Sequence, residues 1–291
     1  MKTVQIANGE TLGYREREGG ESVLLLIHGN MNSSKHWDLV LENADPRFKI
    51  YAVDLRGFGI STYNNRIDSL RDFSEDVKLF VDEIGLKRFS LMGWSTGGGV
   101  AMQFAADYPE RVEKLVLMAS MSTRGYPFYV EDEQGRPDLL RRVKTKSEME
   151  RHGKTLAVNS AYERKDKEFL TALYNAVIYD RHRPDPARYA EYLDDMLTQR
   201  NLADVYHALN TFNISAADHE AGAGSNAAAN IQAPTLVLWG EYDRVVPKQM
   251  ALDIVEDIGD NAELIVLKGC GHSPLVDDLD QLLRRVTDFL L

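Results

Sequence analysis

Ser95 lies within Gly93-Trp94-Ser95-Thr96-Gly97. Gly-x-Ser-x-Gly is the pattern of a nucleophile elbow, a serine on a tight strand-to-helix turn with small residues two before and two after it. A serine hydroxyl attacks poorly until a base within hydrogen-bond reach takes its proton. Two later stretches supply the missing groups, Gly240-Glu241-Tyr242-Asp243 and Gly269-Cys270-Gly271-His272. His272 would accept the serine proton near neutral pH and return it to the leaving group. Asp243 would fix the imidazole tautomer and stabilise the imidazolium. The Thr96 N–H follows the nucleophile and would hold a developing oxyanion, with a second donor from the loop His28-Gly29-Asn30-Met31. Rivals exist at each place. His28 also follows an apolar run, Glu241 precedes Asp243 by two residues, and Cys270 precedes His272 by two. A lone cysteine in apolar surroundings usually behaves as a small buried hydrophobe.

The elements around these residues must bring them together. Continuous apolar runs at 22–27, 48–53, 89–92, 112–118, 235–239 and 262–267 predict strands buried on both faces. Residues 3–7 and 11–17 predict strands joined by an Asn8-Gly9 turn. Helical spacing is expected over 69–84, 100–108, 249–258 and 279–290, with a short helix over 37–41. Alternating strands and helices predict an α/β fold, a mostly parallel, doubly wound sheet flanked by helices. Ser95, Asp243 and His272 then all follow the carboxyl ends of strands, where such sheets carry their sites. Between about 122 and 230 the pattern changes to charged, tyrosine-rich helices, expected at 148–156, 166–178, 187–198 and 201–212, with no strand. The low-complexity stretch 216–230 reads as a flexible connection. The expected organisation is a core of 1–121 and 231–291 with a helical cap, 122–230, inserted after the sixth core strand.

Composition narrows the class. The 291 residues carry 45 acids and 34 bases, a net charge of −11. That argues against nucleic acid or an anionic membrane surface as the main partner. The single cysteine excludes an internal disulfide, and no metal-type His or Cys spacing occurs. No run approaches the length of a membrane span, and the first residues lack the apolar core of a secretion signal. A cytoplasmic protein with no metal and no cofactor is expected. Oligomeric state is not encoded in any pattern here. Asp132, Asp194 and Asp195 are expected on solvated faces.

Five stretches in order carry a resemblance: His28-Gly29-Asn30-Met31, Asp54-Leu55-Arg56-Gly57-Phe58-Gly59, Gly93-Trp94-Ser95-Thr96-Gly97-Gly98, Gly240-Glu241-Tyr242-Asp243 and Gly269-Cys270-Gly271-His272-Ser273. The chain resembles α/β-hydrolase-fold serine hydrolases with a helical cap. The resemblance implies Ser95, Asp243 and His272 as the triad, with Asn30 and Thr96 giving the oxyanion N–H groups. It also implies that His28 braces the oxyanion loop, that Asp54 and Arg56 form a structural turn, and that Asp243 is the acid rather than Glu241. Dehalogenases and epoxide hydrolases of this fold carry aspartate where this chain has Ser95. Carbon–carbon hydrolases usually show Gly-Pro-Gly after the first His-Gly, which this chain lacks. What the resemblance leaves is hydrolysis of a small-molecule ester, lactone or thioester, with acyl transfer or a non-catalytic ligand receptor as alternatives. Gly93-Trp94-Ser95 with residues 28–34 is further similar to intracellular short-chain polyhydroxyalkanoate depolymerases of bacilli. The segment 121–130 leaves the core beside the elbow, so Met121, Tyr126 and Phe128 are expected in the pocket with Met31. Trp94 is expected either there or packed behind the elbow.

Overall fold

The computed structural model describes residues Met1–Leu291. Eight strands form one sheet: β1 (Lys2–Gln5), β2 (Thr11–Arg17), β3 (Ser22–Ile27), β4 (Phe48–Val53), β5 (Phe89–Trp94), β6 (Val112–Met118), β9 (Thr235–Gly240) and β10 (Ala262–Leu267). Their spatial order is β1-β2-β4-β3-β5-β6-β9-β10. The β1–β2 and β2–β4 pairs are antiparallel and all later pairs parallel. The chain steps outward from β3 to β4, then returns to place β5 on the other side of β3. That reversal is the switch point where open α/β sheets form their crevice.

The apolar runs become strands because both faces are covered. Along β3, Leu25 and Ile27 join a core on one face while Leu24 and Leu26 join a core on the other. The helices doing the covering are α1 (Asp38–Asn43), α2 (Leu70–Glu83), α3 (Thr96–Asp107), α9 (Lys248–Ile258), the short α10 (Pro274–Asp277) and α11 (Leu279–Leu290). Helix α2 starts where Ser69 and Asp72 form a reciprocal capping box. The Asp54 carboxylate accepts from the Ser34 N–H at 2.9 Å and the Ile60 N–H at 3.0 Å, and Arg56 forks onto buried Asp76 with two bonds of 2.7 Å. Both residues thus shape the loop after β4.

Between β6 and β9 the chain adds α4 (Lys146–Arg151), α5 (Gly153–Arg164), α6 (Lys167–Val177), α7 (Pro186–Met196) and α8 (Leu202–Thr211). Three expectations fail in this segment. First, it contains strands, β7 (Tyr129–Glu131) and β8 (Pro137–Arg142), paired as an antiparallel hairpin. Second, the helix expected over 148–156 is broken at His152, which leaves the helical region and accepts from the Lys154 N–H at 3.3 Å as a cap. Third, 216–230 is not a loose connection. His219 and Gly222 exchange backbone bonds of 3.0 and 3.1 Å, and Asn213 Nδ2 donates to the Ala217 carbonyl at 2.8 Å.

Candidate active site

The register of β3 on β5 pairs Ile27 with Gly93, so the loops after both strands leave the sheet side by side. Ser95 begins α3 with φ 55° and ψ −116°, a left-handed position for a side chain that favours glycine. Backbone bonds hold the turn: the Ser95 N–H donates to the Met118 carbonyl of neighbouring β6 and the Gly98 N–H to the Ser95 carbonyl, each at 3.0 Å. It also explains the flanking glycines. A Cβ on Gly93 would sit 2.3 Å from the Gly97 carbonyl oxygen, and one on Gly97 would sit 2.3 Å from the Ile27 oxygen.

Asp243 and His272 follow β9 and β10, which are adjacent in the sheet. Asp243 accepts from His272 Nδ1 at 2.9 and 3.1 Å, and both side chains are buried. Its Oδ1 also accepts from the N–H groups of Val245 and Val246 at 2.8 Å each. Four acceptor sites on a carboxylate allow all three donors, so the proton stays on His272 Nδ1 and Nε2 is free as a base. Ser95 makes no hydrogen bond to His272, but both line one cavity of about 270 Å³. Glu241 points elsewhere, accepting from Lys268 Nζ and the Gly269 N–H at 3.1 Å each. Cys270 is buried and its thiol is pushed up to about 12 by burial, which removes it as a nucleophile.

Asn30 and Thr96 line the same cavity, and no group of the chain uses their backbone N–H donors. The loop carrying Asn30 is tightly braced. His28 Nε2 accepts from the Leu55 N–H at 3.0 Å, which puts its proton on Nδ1, 2.7 Å from the Gly29 carbonyl. Burial pulls the His28 pKa down to about 4, so it stays neutral in this role. Met31 takes φ 62°, and its carbonyl accepts from the Tyr174 hydroxyl of the cap at 3.2 Å. Gln199 Nε2, also from the cap, donates to Asn30 Oδ1 at 2.8 Å.

Met31, Met121, Tyr126 and Phe128 line the cavity; Trp94 does not. The indole is buried behind the elbow, edge-on to Trp37, and its Nε1 donates to the His272 carbonyl at 2.9 Å. The bond ties the elbow to the loop that carries His272. Asp195 also departs from expectation. It is not solvated, because Ser33 reaches it through N–H at 2.9 Å and Oγ at 2.5 Å, and burial raises its carboxyl to about 6. The sequence reading missed the cavity walls from α6 and α8, Leu173, Val177, Tyr206 and Leu209. Their spacing of three or four residues marks one helix face, yet gives no sign of what that face covers. No cluster of His, Cys, Asp and Glu is arranged to hold a metal ion.

A family model described as the alpha/beta hydrolase fold matches residues 22–279. The chain belongs to that family. Within this hydrolase family it is similar to the 2-hydroxy-6-oxononadienedioate/2-hydroxy-6-oxononatrienedioate hydrolase 1 of Pseudomonas putida, 27% identical over 99% of this chain and 96% of the relative. A hydrolase of the same name from Paraburkholderia phymatum is 28% identical over 99% and 95% of the two chains. The fold is also that of an esterase from Exiguobacterium antarcticum, with TM-score 0.75, 17% identity and coverage of 99% and 98%. An enol-lactonase from Burkholderia xenovorans superposes with TM-score 0.75, 17% identity and 99% coverage of both chains. No helix is long and apolar enough to cross a membrane.

Proposed function

We propose that this hydrolase cleaves carboxylic esters through an acyl-enzyme on Ser95. One observation carries the reading: Ser95, His272 paired to Asp243, and the unused N–H groups of Asn30 and Thr96 all border one cavity. The hydroxyl attacks the acyl carbon as His272 Nε2 takes its proton, and the carbonyl oxygen becomes an oxyanion between the two N–H donors. Collapse breaks the bond to the alcohol, which leaves with the proton from His272. Water then repeats the cycle on the acyl-enzyme and releases the acid.

A second reading has its own support in the full-length similarity to the two dienedioate hydrolases. Compounds so named carry two carboxylates, a 2-hydroxyl and a 6-ketone, and no ester. Hydrolysing such a compound means breaking a carbon–carbon bond beside the ketone. This similarity brings back a reaction that the missing Gly-Pro-Gly had set aside. The test is a panel run on wild type and Ser95→Ala: p-nitrophenyl acetate and butyrate, a 3-hydroxybutyrate ester, an enol lactone, an acyl thioester and a 2-hydroxy-6-oxo dienedioate. The expected result is Ser95-dependent turnover of the oxygen esters. Turnover of the dienedioate with every ester inert would replace the first reading by the second.

A further inference from the structure

The cavity holds a cation that the hydrolytic steps do not use. No aspartate or glutamate lines the cavity, and its cationic side chains are Lys154 and Arg244. Arg244 is already paired, its Nε 3.1 Å from Asp180 Oδ2. Lys154 Nζ instead faces the rings of Phe128 and Tyr206, at 5.6 and 5.5 Å from their centroids. Both rings are buried cavity walls, 5% and 3% exposed. The ammonium is therefore turned to the cavity side of α5, while the residue as a whole is exposed to solvent.

We propose that Lys154 receives a carboxylate of the substrate, so that the cavity selects acyl groups ending in a second acid over neutral ones of the same length. The proposal takes its location from the Ser95 ester-hydrolase reading. Its physical basis is the missing counter-ion. Lys35, Lys146 and Lys268 pair with carboxylates, whereas Lys154 has no acid within ion-pair distance and, unlike the unpaired Lys248, lines the cavity. At Lys154 burial acts alone and lowers the pKa, with no acid to offset it. A cation at an apolar cavity wall with no anion beside it is compensated only weakly by the faces of aromatic rings. An entering carboxylate would supply the missing charge and gain a charge-assisted hydrogen bond. The cavity is otherwise largely apolar, with Leu173, Val177 and Ile178 available to the methylene chain between the two acid ends.

Two measurements test this. The first is calorimetric binding of adipate and of neutral dimethyl adipate to Ser95→Ala, to Ser95→Ala with Lys154→Met, and to Ser95→Ala with Lys154→Arg. Methionine keeps the unbranched stem, and Lys154 takes part in no ion pair that folding would lose. Adipate binding should weaken about 10- to 100-fold in the methionine variant and by only a few-fold in the arginine variant. Equal adipate affinity with and without the Lys154→Met substitution, or no adipate binding to folded Ser95→Ala at millimolar concentration, overturns the proposal. The second measurement compares p-nitrophenyl hexanoate with the mono-p-nitrophenyl ester of adipic acid. Wild type should favour the half-ester, and Lys154→Met should cut that preference about tenfold or more. A preference unchanged by Lys154→Met also overturns it. If neither ester turns over while adipate binding still depends on Lys154, the ester reading fails and the carboxylate site stands.

Discussion

At the residue scale, the chemistry depends on what Asp243 can accept. Its carboxylate serves His272 Nδ1 and two backbone N–H groups at once. An amide at that position has one acceptor oxygen and brings an N–H of its own toward the ring. Asp243→Asn should therefore favour the wrong imidazole tautomer and lower kcat by about 10⁴, with KM little changed. Steady-state kinetics at neutral pH measure this, and a kcat within tenfold of wild type would contradict the assignment. Ser95, Asp243 and His272 were readable as candidates because the chemistry proposed for them calls for those residue types at strand ends. Trp94 was not, since its side chain could face the cavity or the core until the His272 carbonyl was seen to take its N–H. Lys154 carried no mark at all, because its meaning comes from having no acid beside it in three dimensions.

At the element scale, helix α7 meets the loop at residues 28–31 through a trio of Asn32, His36 and Asp195. Asn32, its amide nitrogen turned to the loop, donates to the Gly29 carbonyl at 3.0 Å and to that of Asn30. Its oxygen then faces His36 Nδ1, 3.4 Å away, so that nitrogen carries the proton. Burial lowers the His36 pKa to about 3, so Nε2 keeps a lone pair, 3.4 Å from Asp195 Oδ2 on α7. The Asp195 carboxyl is the third member, and it accepts from the Ser33 N–H and hydroxyl on its other side. Burial raises its pKa to about 6, above the usual carboxylate value of 3.8. Between those values the folded state holds more protons than the unfolded chain, so this group's contribution to stability falls as pH rises from about 4 to 6. The full span is worth about 3 kcal/mol at most. Urea unfolding at steps from pH 4 to pH 7 should show that slope flattened in Asp195→Asn; an unchanged slope would contradict the linkage. Such contacts explain what was legible among the elements. The central strands β3, β4, β5, β6 and β9 are buried on both faces, so their limits follow from composition. The β7–β8 hairpin is mostly exposed and has no alternation to betray it.

At the scale of the whole molecule, sheet and cap share the site. The sheet brings Ser95, Asp243 and His272 to one edge through neighbouring strands β5, β6, β9 and β10. The cap is clamped to it by charge, with Arg66 on Asp204 at 2.6 Å and Arg124 on Asp257 at 2.9 Å. It also steadies the loop carrying Asn30 and Met31 through Gln199 and Tyr174. The order of strands and helices in the core was legible because each connection in a parallel sheet needs a crossover. How the cap helices settle over the cavity was not, because their apolar faces say only that they are covered. The central claim is that this assembly makes Ser95 a nucleophile. Its most direct test is reaction of the folded protein with a fluorophosphonate, followed by intact mass and peptide mapping. One adduct on Ser95 is predicted, absent from Ser95→Ala and formed far more slowly by Asp243→Asn. Folded wild-type protein that forms no adduct, or forms it on another residue, would contradict the account.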